Sequence, residues 1–113
     1  MSNTYSVTSA DATLISNSNE KGWFSVDLLA FNGNRVRHRT MNDVEASWHK
    51  HSDTDEMYFV LSGHLEIDVR DATGSITTHI LGPNTMLVVH PNSEHRARSR
   101  GSTTLLVLDA IDK

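Results

Sequence analysis

The stretch that decides the fold is Trp48-His49-Lys50-His51-Ser52-Asp53-Thr54-Asp55-Glu56-Met57-Tyr58-Phe59-Val60-Leu61-Ser62-Gly63. It reads as two short strands, Trp48 to His51 and Glu56 to Leu61, around a turn. Side chains of an extended chain alternate with period two, so the imidazoles of His49 and His51 point the same way. Ser52 to Asp55 is turn chemistry. Glu56 opens the second strand, and the chain reversal brings its carboxylate opposite the two imidazoles. Tyr58 and Val60 follow Glu56 on the same face. Met57, Phe59 and Leu61 take the other face, which suits packing against a sheet or a subunit. Ser62-Gly63 makes the next tight turn.

On both sides of this stretch the period stays at two. Trp23 to Phe31 is rich in strand formers, with Phe24, Val26 and Leu28 on one face and Asp27 and Leu29 on the other. Asn32-Gly33-Asn34 is a turn signal. Arg35 to Thr40 alternates strictly, setting Val36, His38 and Thr40 against Arg35, Arg37 and Arg39. Beyond Gly63, the segments His64 to Arg70, Ser75 to Leu81, Met86 to Val89, His95 to Ser99 and Thr103 to Ala110 read as strands. Asp71-Ala72-Thr73-Gly74, Gly82-Pro83-Asn84 and His90-Pro91-Asn92-Ser93 break them. About nine or ten short strands with regular turn signals and no helical stripe predict an all-β antiparallel sandwich or barrel, one domain over residues 1–113. Only the first few and the last two or three residues are expected to fray.

The bulk composition excludes more than it assigns. A net charge of −4 carries no nucleic-acid signal. No run is long enough for a membrane span, and Met1-Ser2-Asn3-Thr4-Tyr5 does not open a secretory signal. Neither nucleic acid nor membrane is an expected partner. The absence of cysteine rules out disulfides and fits a cytoplasmic location. A hydrophobic content of 37% supports one modest core and is below the usual share, so self-association would bury more apolar surface; the apolar outer strand faces set the expectation of a homodimer.

A lone His-x-His pair usually marks nothing more than an exposed polar strand. Here a glutamate across a hairpin, a turn glycine and a later histidine, His95, join it. Imidazole and carboxylate together suit Fe, Mn, Ni, Cu or Zn, and the lack of thiolate argues against a structural zinc cage.

His49-x-His51, four residues, Glu56, six residues, Gly63 resembles the first motif of the cupin superfamily. Asn84 to His95 resembles the second, with Asn84 and Asn92 where that motif has glycines, His90 where it has proline, and Pro91 one position late. Asparagine is the non-glycine residue that best tolerates positive φ, so both exchanges are lenient. The resemblance is closest to small single-domain bacterial cupins, through Trp48-His49-Lys50-His51, Thr54-Asp55-Glu56 and Glu94-His95-Arg96. It implies an antiparallel jelly-roll barrel with His49, His51, Glu56 and His95 as ligands of one divalent transition metal per chain.

Four protein ligands leave one or two positions open on an octahedral ion, the mark of a catalytic site. The expected function is a metal-dependent enzyme, a dioxygenase or an isomerase or lyase, acting on a small oxygenated metabolite. Glu56 and Tyr58 are the candidate proton carriers. The alternatives are a non-catalytic protein that binds or senses a small molecule through its metal, and a metal that only braces the barrel.

Other residues carry conditional expectations. His38 touches substrate if its strand face is the cavity. His90 is a solvated turn residue, or an acid–base group if it turns inward. His64 and His79 are expected at the surface. The ladders Arg35, Arg37, Arg39 and Arg96, Arg98, Arg100 are read as solvated sheet faces balanced by acids, with an anion-attracting rim or a subunit contact as the alternative. If His95 points inward, so do Ala97 and Ser99, and Arg96, Arg98 and Arg100 point away. Met41, Met57, Met86 and Trp48 are expected in the core or the cavity wall.

Overall fold

A computed structural model describes residues 6–14 and 22–111 of the chain. The ends expected to fray, residues 1–5 and 112–113, lie outside it. Among the described residues, after a 3-10 turn at Ala12–Leu14, come eight strands rather than the nine or ten expected: β1 (Gly22–Phe31), β2 (Asn34–Asn42), β3 (Glu56–Ser62), β4 (Leu65–Arg70), β5 (Ile76–Leu81), β6 (Met86–Val89), β7 (Glu94–Ser99) and β8 (Ser102–Ala110). They form two antiparallel sheets, ordered β1-β2-β8-β3-β6 and β5-β4-β7. The expected all-β antiparallel jelly-roll is the architecture found. Among the described residues no helix is long and apolar enough to cross a membrane.

The register shows which faces meet. Tyr58 and Val60 of β3 oppose Val107 and Leu105 of β8, and those two in turn oppose Arg37 and Arg39 of β2. Directly opposed residues share a face. The inner face of the larger sheet therefore carries Tyr58, Val60, Leu105, Val107 and Met41, and also Arg37 and Arg39. In the smaller sheet Leu65 and Ile67 of β4 oppose Ser99 and Ala97 of β7 and lie on its inner face. Met41, Val60, Leu65, Ile67, Leu105 and Val107 are all 0% exposed and form the centre of the core. Each such side chain contributes roughly 1.5–3 kcal/mol of burial, set against the entropy of ordering it.

Two local expectations are corrected. Trp48 to His51 is not a strand. It follows β7 as an extended segment with isolated bridges only, Glu45 to Arg98 and His49 to His95. Between those bridges the segment runs four steps while β7 runs three, so an extra residue breaks the ladder. In β1 the register shifts between Asp27 and Leu29. Leu28 is the bulged residue, and Leu29, opposite Val36, joins the face of Val26 instead of that of Asp27.

Gly63 shows why the turn after β3 needs glycine. Its φ is +79°, and a Cβ there would collide with the Ser102 carbonyl oxygen and lie 2.9 Å from Thr103 Oγ1. The β3–β4 turn thus packs directly on the start of β8, and no side chain fits between them.

Candidate metal centre

Three pieces of backbone bring the site together. Glu56 is the first residue of β3 and is 4% exposed. His95 lies on β7, fully buried, with Ala97 and Ser99 inward beside it as parity requires. His49 is held against His95 by reciprocal backbone hydrogen bonds: His49 N–H donates to His95 O at 3.0 Å and His95 N–H to His49 O at 2.9 Å. Asn92 N–H donates to His51 O at 2.7 Å, tying the β6–β7 turn to the segment that carries the second imidazole. The two asparagines at glycine positions do adopt the left-handed conformation, with φ of +66° at Asn84 and +64° at Asn92.

The side chains converge on one carboxylate oxygen. Nε2 of His95 lies 2.8 Å from Glu56 Oε1, and Nε2 of His49 and of His51 each lie 3.3 Å from it. One ligand atom from each of the four residues falls within 4.8 Å of all the others. The other ring nitrogens set the tautomers. His49 Nδ1 donates to Ser47 O at 3.1 Å and His95 Nδ1 to Ser93 O at 2.8 Å. In the neutral rings these bonds leave the Nε2 lone pairs aimed at an anionic oxygen. That arrangement is repulsive without a positive charge among the four groups. It fits a divalent transition ion, with the two carbonyls orienting the imidazoles as outer partners do in metal sites. The nitrogen and oxygen donors suit Fe, Mn, Ni, Cu or Zn.

Tyr58 completes the cluster from the core side. It is 1% exposed, and its hydroxyl donates to Glu56 Oε1 at 3.0 Å. Burial works to raise the Glu56 pKa, but the rings of His49 and His95, which donate through Nε2 when protonated, and the Tyr58 hydroxyl outweigh it and hold the carboxyl well below its usual range. The Glu56 hydrogen bond raises the His49 pKa, partly offset by burial. Burial, then the Glu56 charge, pushes the Tyr58 hydroxyl well above its ordinary value. Tyr58 is therefore a phenol donor at neutral pH and Glu56 a carboxylate.

The remaining sequence candidates separate cleanly. His38 is buried, but it opposes Leu106 and Val26 on the face turned away from the metal ligands, so it is not a cavity residue. His90 is exposed and pairs with Asp55 at 2.9 Å. His64 and His79 are exposed. Arg96, Arg98 and Arg100 point outward and are balanced by acids: Arg98 reaches Asp68, Glu66 and Glu45 at 2.8–3.0 Å. Arg35, Arg37 and Arg39 depart from the solvated-face reading, because register turns them inward beside Tyr58. Trp48 is not core. The guanidiniums of Arg70 and Arg96 lie over its ring, 4.2 and 4.5 Å from the ring centre. Met41 is core and Met86 is 59% exposed.

The family model described as "Cupin domain" matches residues 36–111. The uncharacterized protein YdbB of Bacillus subtilis (strain 168) is 37% identical over 65 residues, 58% of this chain and 54% of that protein. The match thus spans about half the length of that relative. A cupin-2 domain protein of Shewanella frigidimarina has a similar structure, with TM-score 0.70 and 23% identity over 80% of this chain and 83% of that one. A cupin superfamily protein of Desulfitobacterium hafniense aligns with TM-score 0.73 and 22% identity, covering 89% and 87%. At these identities the solved structures attest the fold.

Proposed function

The chain belongs to the Cupin domain family, and from that premise we propose that it is a metal-dependent enzyme acting on a small oxygenated metabolite, of dioxygenase or of isomerase or lyase type. The observation that carries this reading is the aim of three imidazole Nε2 atoms at Glu56 Oε1, with two of the Nδ1 protons already committed to backbone carbonyls. His49, His51, Glu56 and His95 would hold one Fe, Mn, Ni, Cu or Zn ion. Such an ion supplies Lewis-acid polarisation of a substrate oxygen and, if redox-active, electron transfer.

The chain's own residues account for the rest. The Ser47 and Ser93 carbonyls fix two of the rings. Tyr58 holds Glu56 in place and keeps it anionic. The partial exposure of the His49 and His51 side chains, 38% and 20%, leaves an approach from the open side, while His95 closes the floor. A substrate entering there meets the imidazoles first and Glu56 behind them, within reach for proton transfer.

Elemental analysis of the untagged protein beside Glu56→Ala and His51→Ala, followed by turnover and oxygen-uptake assays with small hydroxy and keto acids, tests the reading. The expected result is near one transition ion per wild-type chain, none in the variants, and product that depends on the ion. A wild-type chain that takes up no metal on titration overturns it. Ligand-induced stabilisation with no product from any substrate would assign the site to binding instead.

A further inference from the structure

Arg39 is the most unusual charge in the molecule. It is 6% exposed, on the inner face of β2. Its Nε donates to Ser25 Oγ at 3.1 Å and its guanidinium lies 4.2 Å over the Trp23 ring. Those are its partners among the described residues. Among the described residues no carboxylate meets it. Its neighbours on the ladder are spent: Arg35 and Arg37 both bind Asp109, at 3.0 and 2.7 Å. Neither Nη of Arg39 is sealed off, since the buried side-chain nitrogens left without a partner are Arg37 Nε and His38 Nδ1. Serine on one edge and tryptophan on one face hold the guanidinium, and its bidentate Nη edge has no partner among the described residues. Burial, then repulsion from Arg37, lowers its pKa, against the pull of the Glu56 and Asp109 carboxylates, neither of which it touches.

A buried cation without a counter-ion is costly unless something anionic arrives. We infer that Arg39, braced by Ser25 and Trp23, is the docking group for the carboxylate of a small monoanionic substrate whose other oxygens face the His49–His51–Glu56–His95 cluster. One uncommitted guanidinium matches one negative charge, and its planar fork matches the two oxygens of a carboxylate. The inference rests on the metal-dependent reading for the second half of the substrate but not for the first. Arg39 binds the anion with or without the ion.

Titration calorimetry with lactate, and with its neutral counterpart lactamide, tests this on the full chain, metal-loaded and metal-stripped. Wild type should bind lactate in both forms and prefer it to lactamide by about tenfold or more. Arg39→Gln should lose that preference while still loading one ion per chain. If Arg39→Gln binds lactate as wild type does, or wild type binds no lactate, the inference fails and the metal-dependent reading survives. If wild type takes up no metal yet discriminates lactate through Arg39, the metal-dependent reading fails and the anion site stands. Should Arg39→Gln not fold, Ser25→Ala makes the same comparison by freeing Nε. About threefold weaker lactate binding with unchanged metal loading is expected there, and unchanged lactate binding overturns the inference.

Discussion

Tyr58 and Glu56 are two residues apart on β3, and the Tyr58 hydroxyl donates to Glu56 Oε1 at 3.0 Å, the same oxygen on which all three imidazoles converge. The phenol therefore acts as an outer partner of the cluster, reached from the core. Tyr58→Phe keeps the ring and its packing and removes one hydrogen bond to a charged acceptor. Metal affinity should fall about 10- to 100-fold, and stability by about 1.5–3 kcal/mol. Competition with a chelator of known strength and urea unfolding measure the two separately.

Asn92 links the β6–β7 turn to His51 through its backbone N–H, at a φ of +64°. Asn92→Gly should leave folding and metal loading unchanged within about 0.5 kcal/mol, because glycine enters this region freely. Asn92→Val should cost about 1–2 kcal/mol and loosen the His51 segment. Thermal melts with and without added metal give the comparison, and a Val variant as stable as wild type would remove the strain argument.

Gly63→Ala places a methyl group against the Ser102 carbonyl at a φ of +79°. Destabilisation of about 1–3 kcal/mol or more is expected. The obstacle is backbone, which cannot swing aside as a side-chain tip can. A shifted urea midpoint at unchanged slope is the reading to look for.

Asp68 carries the pH dependence of the smaller sheet. It accepts from Arg98 and Arg96 at 2.9 Å and from Thr78 at 2.7 Å. The Arg98 hydrogen bond, against burial, holds its carboxyl well below the usual range. The folded pKa is depressed, so the unfolded chain binds the proton first as pH falls. The stabilisation is complete above the unfolded value of about 4 and is lost progressively below it. Asp68→Asn should be less stable at pH 7 and show a flatter loss below about pH 4. Unfolding free energies across pH 2–7 decide it, and parallel curves for the two proteins would count against Asp68.

Much of the site was written in the sequence because it depends on strand parity and short spacings. His49 and His51 share a direction, Glu56 faces them across a turn, and Ala97 and Ser99 follow His95 inward. These relations hold over a few residues, where the extended backbone leaves little choice. The positive-φ demands at Asn84 and Asn92 were legible for the same reason. The misreadings lie where longer-range pairing decides. Trp48 to His51 failed to become a strand because β7 runs one residue short of it. Leu29 changed face because of a bulge that no residue type signals.

The sequence by itself determined the antiparallel β architecture and the placing of His49 and His51 opposite Glu56, because period-two alternation and turn chemistry are local properties of the chain, while His95 was reached through the resemblance of Asn84 to His95 to the second cupin motif. Only the tertiary structure decided which side of each strand is the interior. Parity groups Arg35, Arg37 and Arg39 together but is silent on where they point. That choice came from β2 pairing with β8, which sets Arg39 opposite Leu105 and Arg37 opposite Val107, and so commits three cations to the same interior as Glu56.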